Sequence, residues 1–196
     1  MKRILLLGLF LGIGVQLFAQ GIDFKPVPFS EALRMAKTQH KMLFVDCYTS
    51  WCGPCRYMAD SIFTRKETGD YFNKRFISVK YDIEKDEAKE FNALYTVGSF
   101  PTFWIFSPQG EVIYQMGGAS LTVKEWLRRM DVAVEEGTKL EKLRQNYRKN
   151  KNEKNTQAYL EAMGNIQFGE GISELFLEQF RETSDKIDFL YQHKNF

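Results

Sequence analysis

The feature that most constrains the fold of this chain is a pair of cysteines, Cys52 and Cys55, at the junction between two predicted elements. The preceding stretch, KMLFVDCY at 41–48, is mostly apolar and rich in strand-forming residues, so it predicts a buried strand. Pro54 favours the first turn of a helix. Helical spacing then continues at four residues: Tyr57, Met58, Ser61 and Ile62. Cys52 is therefore expected at a helix N-terminus, where N–H groups and the helix dipole stabilise a thiolate.

The order of the other predicted elements indicates an α/β fold. FISVKYDI at 76–83 predicts a second strand, and a helix that closes at YFNKRF, 71–76, lies between the two strands. Strands joined in this way are expected to run parallel. A helix is predicted around 88–95. After it, alternation with a period of two, interrupted by a turn at 107–110, predicts a β-hairpin.

Capping patterns predict two further helices. Ser30 is placed to cap a helix that runs through Lys37. Thr122, followed three residues later by Glu125, has a capping-box pattern, and Gly137 is expected to end that helix. The predicted fold class is α/β, a mixed central sheet of about four strands flanked by helices, with a C-terminal helical extension.

The start of the chain has the pattern of a leader. Lys2 and Arg3 precede an almost unbroken apolar run from Ile4 to Ala19, which predicts a signal peptide over 1–19 that is removed on export. A retained membrane anchor is the alternative, but the run is shorter than the roughly 20 apolar residues that span a bilayer. We therefore expect a periplasmic or otherwise exported protein without stable membrane insertion after cleavage.

Charge and cysteine content exclude other classes of protein. Of the 27 basic residues, Lys2 and Arg3 lie in the leader, which leaves 25 against 25 acidic residues. This balance argues against nucleic acid as a partner. Three cysteines are too few for a disulfide-built scaffold, so the fold needs an apolar core. We expect one domain over 20–137 and a helical extension over 138–196.

Three roles are open to the cysteine pair: dithiol–disulfide exchange, a structural staple, or half of a zinc site. A staple across one helical turn restrains little of the unfolded chain. A structural zinc site needs four ligands, and the other candidates, Cys47, His40 and His193, offer no second pair at ligand spacing. No metal or other cofactor is therefore predicted. Cys47 follows Asp46 on the buried strand and is expected on the opposite face, as a small core residue.

With these elements placed, the chain resembles the thioredoxin family over roughly 25–136. The resemblance is carried by the motif from Trp51 to Cys55, with Asp46, Lys80 and Pro101 at the family's spacing. It implies the thioredoxin fold and thiol–disulfide exchange.

The resemblance and the chemistry of the residues together imply a role for each position. Cys52 is the expected nucleophile, because we expect it to be exposed at the helix N-terminus, and Cys55 is the expected buried thiol that resolves the mixed disulfide. Asp46, expected beneath Cys55, would have its pKa raised by burial and take the proton of that thiol. Lys80 is expected to tune Asp46, and the bond before Pro101 is expected to be cis. The expected substrate contacts are Trp51, Gly53, Pro54, Phe100 and Pro101.

One position departs from the family pattern. Tyr48 stands where cytoplasmic members carry a tryptophan, and in this the chain is similar to exported thioredoxin-like domains. We predict an exported thiol–disulfide oxidoreductase that acts on protein disulfides, as a reductant, with an upstream electron donor or acceptor. The alternative is a non-enzymatic partner-binding module in which the cysteine pair only regulates binding.

The C-terminal part predicts helices but no chemistry. Residues 139–154 carry seven basic and two acidic residues, which is typical of a solvated helix or linker. Apolar residues sufficient for two helices follow this segment: Tyr159, Leu160, Met163, Leu175, Phe176, Phe180, Ile187 and Leu190. Packing on the domain, binding a partner and continuing into a further helical region all stay open.

Overall fold

The computed structural model describes residues 21–165. The signal segment predicted over 1–19 and the apolar residues from Leu175 onward lie outside the described residues. Between residues 21 and 165, no helix is both long enough and apolar enough to cross a membrane.

A four-stranded sheet in the order β2-β1-β3-β4 lies at the centre of the domain. Its strands are β1 (Met42–Tyr48), β2 (Phe76–Asp82), β3 (Thr102–Phe106) and β4 (Val112–Gly117). β1 and β2 run parallel, and β3 is antiparallel to both β1 and β4. The predicted βαβ unit, hairpin and mixed sheet are confirmed.

Helices cover the sheet on both sides. They are α1 (Phe29–Gln39), α2 (Gly53–Tyr57), α3 (Lys66–Arg75), α4 (Lys89–Asn92), α5 (Val123–Lys149) and α6 (Glu153–Asn165). A π-helical turn, Met58–Ile62, extends α2, and a 3-10 turn, Asp86–Ala88, precedes α4. The helix predicted over 88–95 is present but ends earlier, at Asn92.

The first helix begins earlier than predicted. Pro28 occupies the N-cap position, where its fixed φ suits a helix start and its missing N–H costs nothing. Ser30 therefore lies inside the first turn and does not cap the helix. Its backbone N–H donates instead to Glu90 Oε2 at 2.8 Å.

The helix that follows the cysteine pair continues into a π-helical turn. Phe63 N–H donates to Met58 O at 2.8 Å, which is the five-residue spacing of a π-helix. Met58 and Ile62 are buried, whereas Tyr57 and Ser61 are exposed. The helix predicted after the cysteine pair is confirmed, and of its four spaced residues only Met58 and Ile62 are buried against the sheet.

The core consists of two apolar clusters. One contains Phe44 of β1, Met58 and the α5 residue Trp126. The other contains Val45 and Cys47 of β1. Because successive strand residues point to opposite faces, each cluster lies on its own side of the sheet. Cys47 is a free, buried thiol, which confirms its prediction as a small core residue.

Helix α5 corrects the prediction made for Gly137. The capping prediction is confirmed, since Glu125 N–H donates to Thr122 Oγ1 at 3.1 Å. The helix, however, continues through Gly137 to Lys149. A Cβ at Gly137 would lie 3.1 Å from Ile113 Cδ1 and from Ile113 O. The glycine thus permits a close approach of α5 to β4, and the boundary predicted at 137 falls inside one continuous helix.

The segment 139–154 is not uniformly solvated. Arg144 is only 5% exposed, because its guanidinium donates to Tyr159 Oη at 2.9 Å and to Val112 O at 2.7 Å. The prediction of a solvated segment is therefore wrong at this residue. Helices α5 and α6 pack through a third apolar cluster: Leu140, Tyr159, Leu160 and Met163.

Candidate active site

Cys52 and Cys55 form a disulfide at the carboxyl end of β1, with an S–S distance of 2.05 Å. Cys52 is the N-cap of α2, and its Sγ accepts the backbone N–H of Cys55 at 3.1 Å. Pro54 lies in the first turn, where proline is favoured. The prediction that Cys52 stands at a helix N-terminus is confirmed. A negative charge on its sulfur would face N–H groups that have no partner within the helix.

The expected difference in exposure between the two cysteines is wrong for this oxidised form. Cys52 is 4% exposed and Cys55 is 6% exposed, and their sulfurs are joined in one disulfide. Gly53 and Pro54, between them, are exposed. The helix N-terminus, rather than exposure, is what distinguishes the two sulfurs.

Trp51 directly precedes Cys52, and its side chain contacts two other residues. Its side chain is 64% exposed. Its Nε1–H donates to Glu84 Oε1 at 3.0 Å, and its ring meets the Phe100 ring edge-on at 5.8 Å between centroids. Sequence analysis did not identify Glu84. The residue lies just beyond β2, and its contact with Trp51 depends on the parallel pairing of β1 with β2.

Pro101 lies at the same end of the sheet as the cysteine pair. Cys47 pairs with Thr102 across β1 and β3, so Pro101 is adjacent to the end of β1. The bond between Phe100 and Pro101 is cis, as predicted. Pro101 O accepts the N–H of Gly118 at 2.9 Å.

Asp46 is a buried carboxyl with few partners. It is 5% exposed, and its Oδ1 has no hydrogen-bond partner within the described part of the chain. Desolvation by burial raises the pKa of Asp46 to about 7, and the positive charge of Lys80 acts in the opposite direction. Asp46 follows Phe44 by two positions, so it lies on the face of the sheet that Met58 and the active-site helix cover. The predicted burial of this carboxyl and the predicted rise in its pKa are confirmed.

Lys80 is the strand neighbour of Asp46. The two residues are register partners in the β1–β2 ladder. Lys80 is exposed, and its Nζ lies 5.6 Å from the centroid of the Phe24 ring. Its position beside Asp46 is as predicted.

Side chains that could bind a metal ion do not form a cluster in the described part of the chain. Within residues 21–165, no group of three or more His, Cys, Asp and Glu side chains is arranged to hold a metal ion.

Known proteins match the part of the chain that carries this site. A family model described as a thioredoxin-like domain matches residues 29–133. The chain is 37% identical over 93 residues to thioredoxin-2 of Pyricularia oryzae, a match that covers 47% of each protein. It is 31% identical over 90 residues to a thioredoxin-like protein of Synechocystis, covering 46% of the chain and 80% of that protein. The chain thus spans about half the length of the first of these relatives.

A solved structure matches the domain as well. A protein from Bacteroides thetaiotaomicron that has been proposed to be a disulphide isomerase is 40% identical to the chain. The match covers 60% of the chain and 97% of that protein, with a TM-score of 0.53.

Proposed function

Because the chain belongs to the family of thioredoxin-like domains, we propose that it is a thiol–disulfide oxidoreductase that exchanges the Cys52–Cys55 pair with disulfides of protein substrates. The observation that carries this proposal is the disulfide between the N-cap of a helix and that helix's first turn. A thiolate at the N-cap is stabilised by the N–H groups around it, so it forms at lower pH and attacks disulfides more readily.

The reaction proceeds in two displacements. In the reduced protein, the Cys52 thiolate attacks one sulfur of the substrate disulfide; an S–S bond forms between protein and substrate, and the other substrate sulfur leaves as a thiolate. Cys55 then loses its proton and attacks the Cys52 sulfur. The mixed disulfide breaks, the substrate leaves with both sulfurs reduced, and the Cys52–Cys55 disulfide remains.

Asp46 is the proposed proton acceptor for the second displacement. Efficient proton transfer needs a group whose pKa is near the working pH, and burial raises the pKa of Asp46 to about 7. Its carboxyl faces the side of the sheet on which the active-site helix packs. Lys80 keeps the pKa of Asp46 from rising further, which is the tuning role proposed for it.

The proposed substrate surface surrounds the disulfide. Trp51 and Phe100 form an aromatic pair on one side, while Gly53 and Pro54 are exposed beside the sulfurs. Pro101 directly precedes β3, and an extended segment of the substrate can pair with the backbone at this position.

Direction and compartment are also part of the proposal. The Gly-Pro sequence between the cysteines supports a reductant, and the leader pattern over 1–19 supports work outside the cytoplasm, in the periplasm or beyond. A two-electron donor of the thiol class must then return the disulfide to the dithiol. The Bacteroides relative that has been proposed as a disulphide isomerase supports protein disulfides as the substrate class.

An insulin-reduction assay tests this function. The wild-type protein with dithiothreitol is expected to precipitate insulin faster than dithiothreitol alone, and Cys52→Ser is expected to give only the rate of dithiothreitol. Cys55→Ser is expected to accumulate a mixed disulfide with insulin through Cys52. A wild type no faster than Cys52→Ser would contradict the proposal and would favour a partner-binding module with a regulatory cysteine pair.

A further inference from the structure

The segment Gly117–Leu121 runs from the last residue of β4 towards α5. It contacts both the Pro101 backbone and the helix that follows the cysteine pair. On one side, Gly118 N–H donates to Pro101 O at 2.9 Å. On the other, Tyr57 Oη–H donates to Leu121 O at 2.7 Å, and the N–H of Ser120 lies 3.2 Å from Met58 Sδ. The position of this segment and the position of the Pro101 backbone are therefore coupled.

Arg129, a residue of α5, donates hydrogen bonds to this segment. Its guanidinium donates to Gly117 O at 2.6 Å, to Gly118 O at 2.9 Å and to Ser120 Oγ at 2.9 Å. The planar guanidinium presents several donors in a fixed geometry, so one side chain can set the orientation of two successive carbonyl groups. Because Ser120 is fully buried, loss of the Arg129 hydrogen bond to its Oγ would cost free energy.

The backbone held by Arg129 has no side chain of its own to fix it. Gly118 has φ +82°, and a Cβ built there would meet nothing within 4 Å. A glycine in such open space loses much conformational freedom when it is ordered, so its geometry depends on the groups that bind its carbonyl. Gly117 and Gly118 are both exposed to solvent.

We infer that Arg129 is a positioning residue for protein substrates: it fixes the Gly117–Leu121 segment and, through Gly118, the Pro101 backbone that receives the extended substrate chain. This inference rests on the proposed function. It predicts a selective effect, because an extended protein segment contacts this backbone, whereas a small disulfide needs only the cysteine sulfurs.

The test compares two disulfides with matched arginine variants. Arg128, the exposed neighbour on the same helix, provides the control. Since a hydrogen bond to a charged group is worth one to two powers of ten in affinity, we expect Arg129→Met to lower kcat/KM for insulin about tenfold, mainly through KM. The rate with dithiodipyridine should stay within about twofold. Arg128→Met should change neither rate by more than about twofold, and Arg129→Lys should recover part of the loss.

Each result separates the inference from the proposed function. Unchanged insulin kinetics in Arg129→Met, or an equal fall with both disulfides, would overturn the inference and leave the function intact. A wild type that reduces dithiodipyridine but not insulin, or neither, would contradict both.

A second variant covers the case in which Arg129→Met does not fold, as judged by its thermal melt. Tyr57→Phe removes one hydroxyl from an exposed ring and so releases Leu121 O without disturbing the core. It should raise KM for insulin about twofold to threefold, as expected for one neutral hydrogen bond, while dithiodipyridine kinetics stay at the wild-type value. No change in the insulin KM of this variant would then count against the inference.

Discussion

Asp46 in the active site and Arg144 in the C-terminal helix pair are buried to the same extent, each 5% exposed, yet their surroundings are opposite. Arg144 donates to Tyr159 Oη, to Val112 O and to Glu141 Oε2 at 2.7 to 2.9 Å. Asp46 Oδ1 has no hydrogen-bond partner among residues 21–165. The buried guanidinium is thus hydrogen-bonded, whereas the buried carboxyl has an oxygen without a hydrogen bond.

The difference indicates what each region is built for. A buried polar group without a partner costs free energy, so proteins tolerate few of them. The hydrogen-bonded guanidinium of Arg144 joins α5, α6 and the start of β4, which is a structural role. The carboxyl of Asp46, whose Oδ1 lacks a hydrogen bond, has a raised pKa instead. A raised pKa suits proton transfer and lowers the stability of the folded protein at high pH.

The largest expected effect concerns Asp46 and the pH dependence of stability. The pKa of Asp46 is about 7 in the folded protein and about 3.9 in the unfolded chain. Between these values the folded state binds the extra proton, so stability falls as pH rises. The oxidised wild type should lose about 4 kcal/mol relative to Asp46→Asn between pH 4 and pH 8. Urea unfolding of both proteins at several pH values measures this difference.

The asparagine variant is the matched control, because it keeps the shape of the side chain without its titration. Above pH 7 it should be more stable than the wild type, and below pH 4 the two should be similar. If the difference in unfolding free energy between the two proteins stayed constant across this range, the pKa of Asp46 would not be raised by folding. The contrast with Arg144 would then fail.

The next effect concerns Arg144. Arg144→Met removes the hydrogen bonds that Arg144 donates to Tyr159 Oη, Val112 O and Glu141 Oε2, so we expect a loss of about 3 kcal/mol in the free energy of unfolding. Arg148→Met is the control, because that exposed residue pairs with Glu111 at the surface and should cost about 1 kcal/mol or less. Urea unfolding at fixed pH checks both.

Activity sharpens the same comparison. The folded fraction of Arg144→Met should reduce insulin at close to the wild-type rate, because within residues 21–165 the hydrogen bonds and ion pairs of Arg144 go to Tyr159, Val112, Glu141 and Glu111, all outside the active site. An equal loss of exchange in Arg144→Met and Asp46→Asn, with both proteins folded, would mean that the two regions are not functionally distinct.

The smallest effect concerns Lys80. Removing its positive charge in Lys80→Met should raise the pKa of Asp46, because Lys80 lowers it in the wild type. Lys80 is exposed, so solvent and salt screen its charge and the midpoint should move by less than about 1 pH unit. A carbon-13 NMR titration of the Asp46 carboxyl measures it, with Lys85→Met as an exposed control. A downward movement in Lys80→Met would contradict the tuning role.

Much of the fold could be predicted because its signals are local. The apolar runs of β1 and β2 and the cysteine motif at a strand end are visible in a few consecutive residues. Asp46 and Lys80 could be predicted only from their spacing in the family resemblance, and the register of the two parallel strands then shows them side by side.

What could not be predicted depends on contacts between distant elements. Gly137 has the character of a helix stop, but its use becomes visible only where α5 meets Ile113. Arg144 lies in a basic segment, and nothing local shows that Tyr159 and Val112 converge on it. Glu84 and Arg129 bind partners 33 and 9 to 12 residues away, so their roles require the assembled fold.

The pH dependence of insulin reduction in wild type and Asp46→Asn tests the central claim most directly. If the carboxyl accepts the proton of Cys55, Asp46→Asn should slow exchange about a hundredfold near pH 7. The gap should narrow at high pH, where the thiol loses its proton to solvent without help. Rate profiles for the two folded proteins that superimpose from pH 6 to pH 9 would contradict the claim that Asp46 accepts the proton of Cys55.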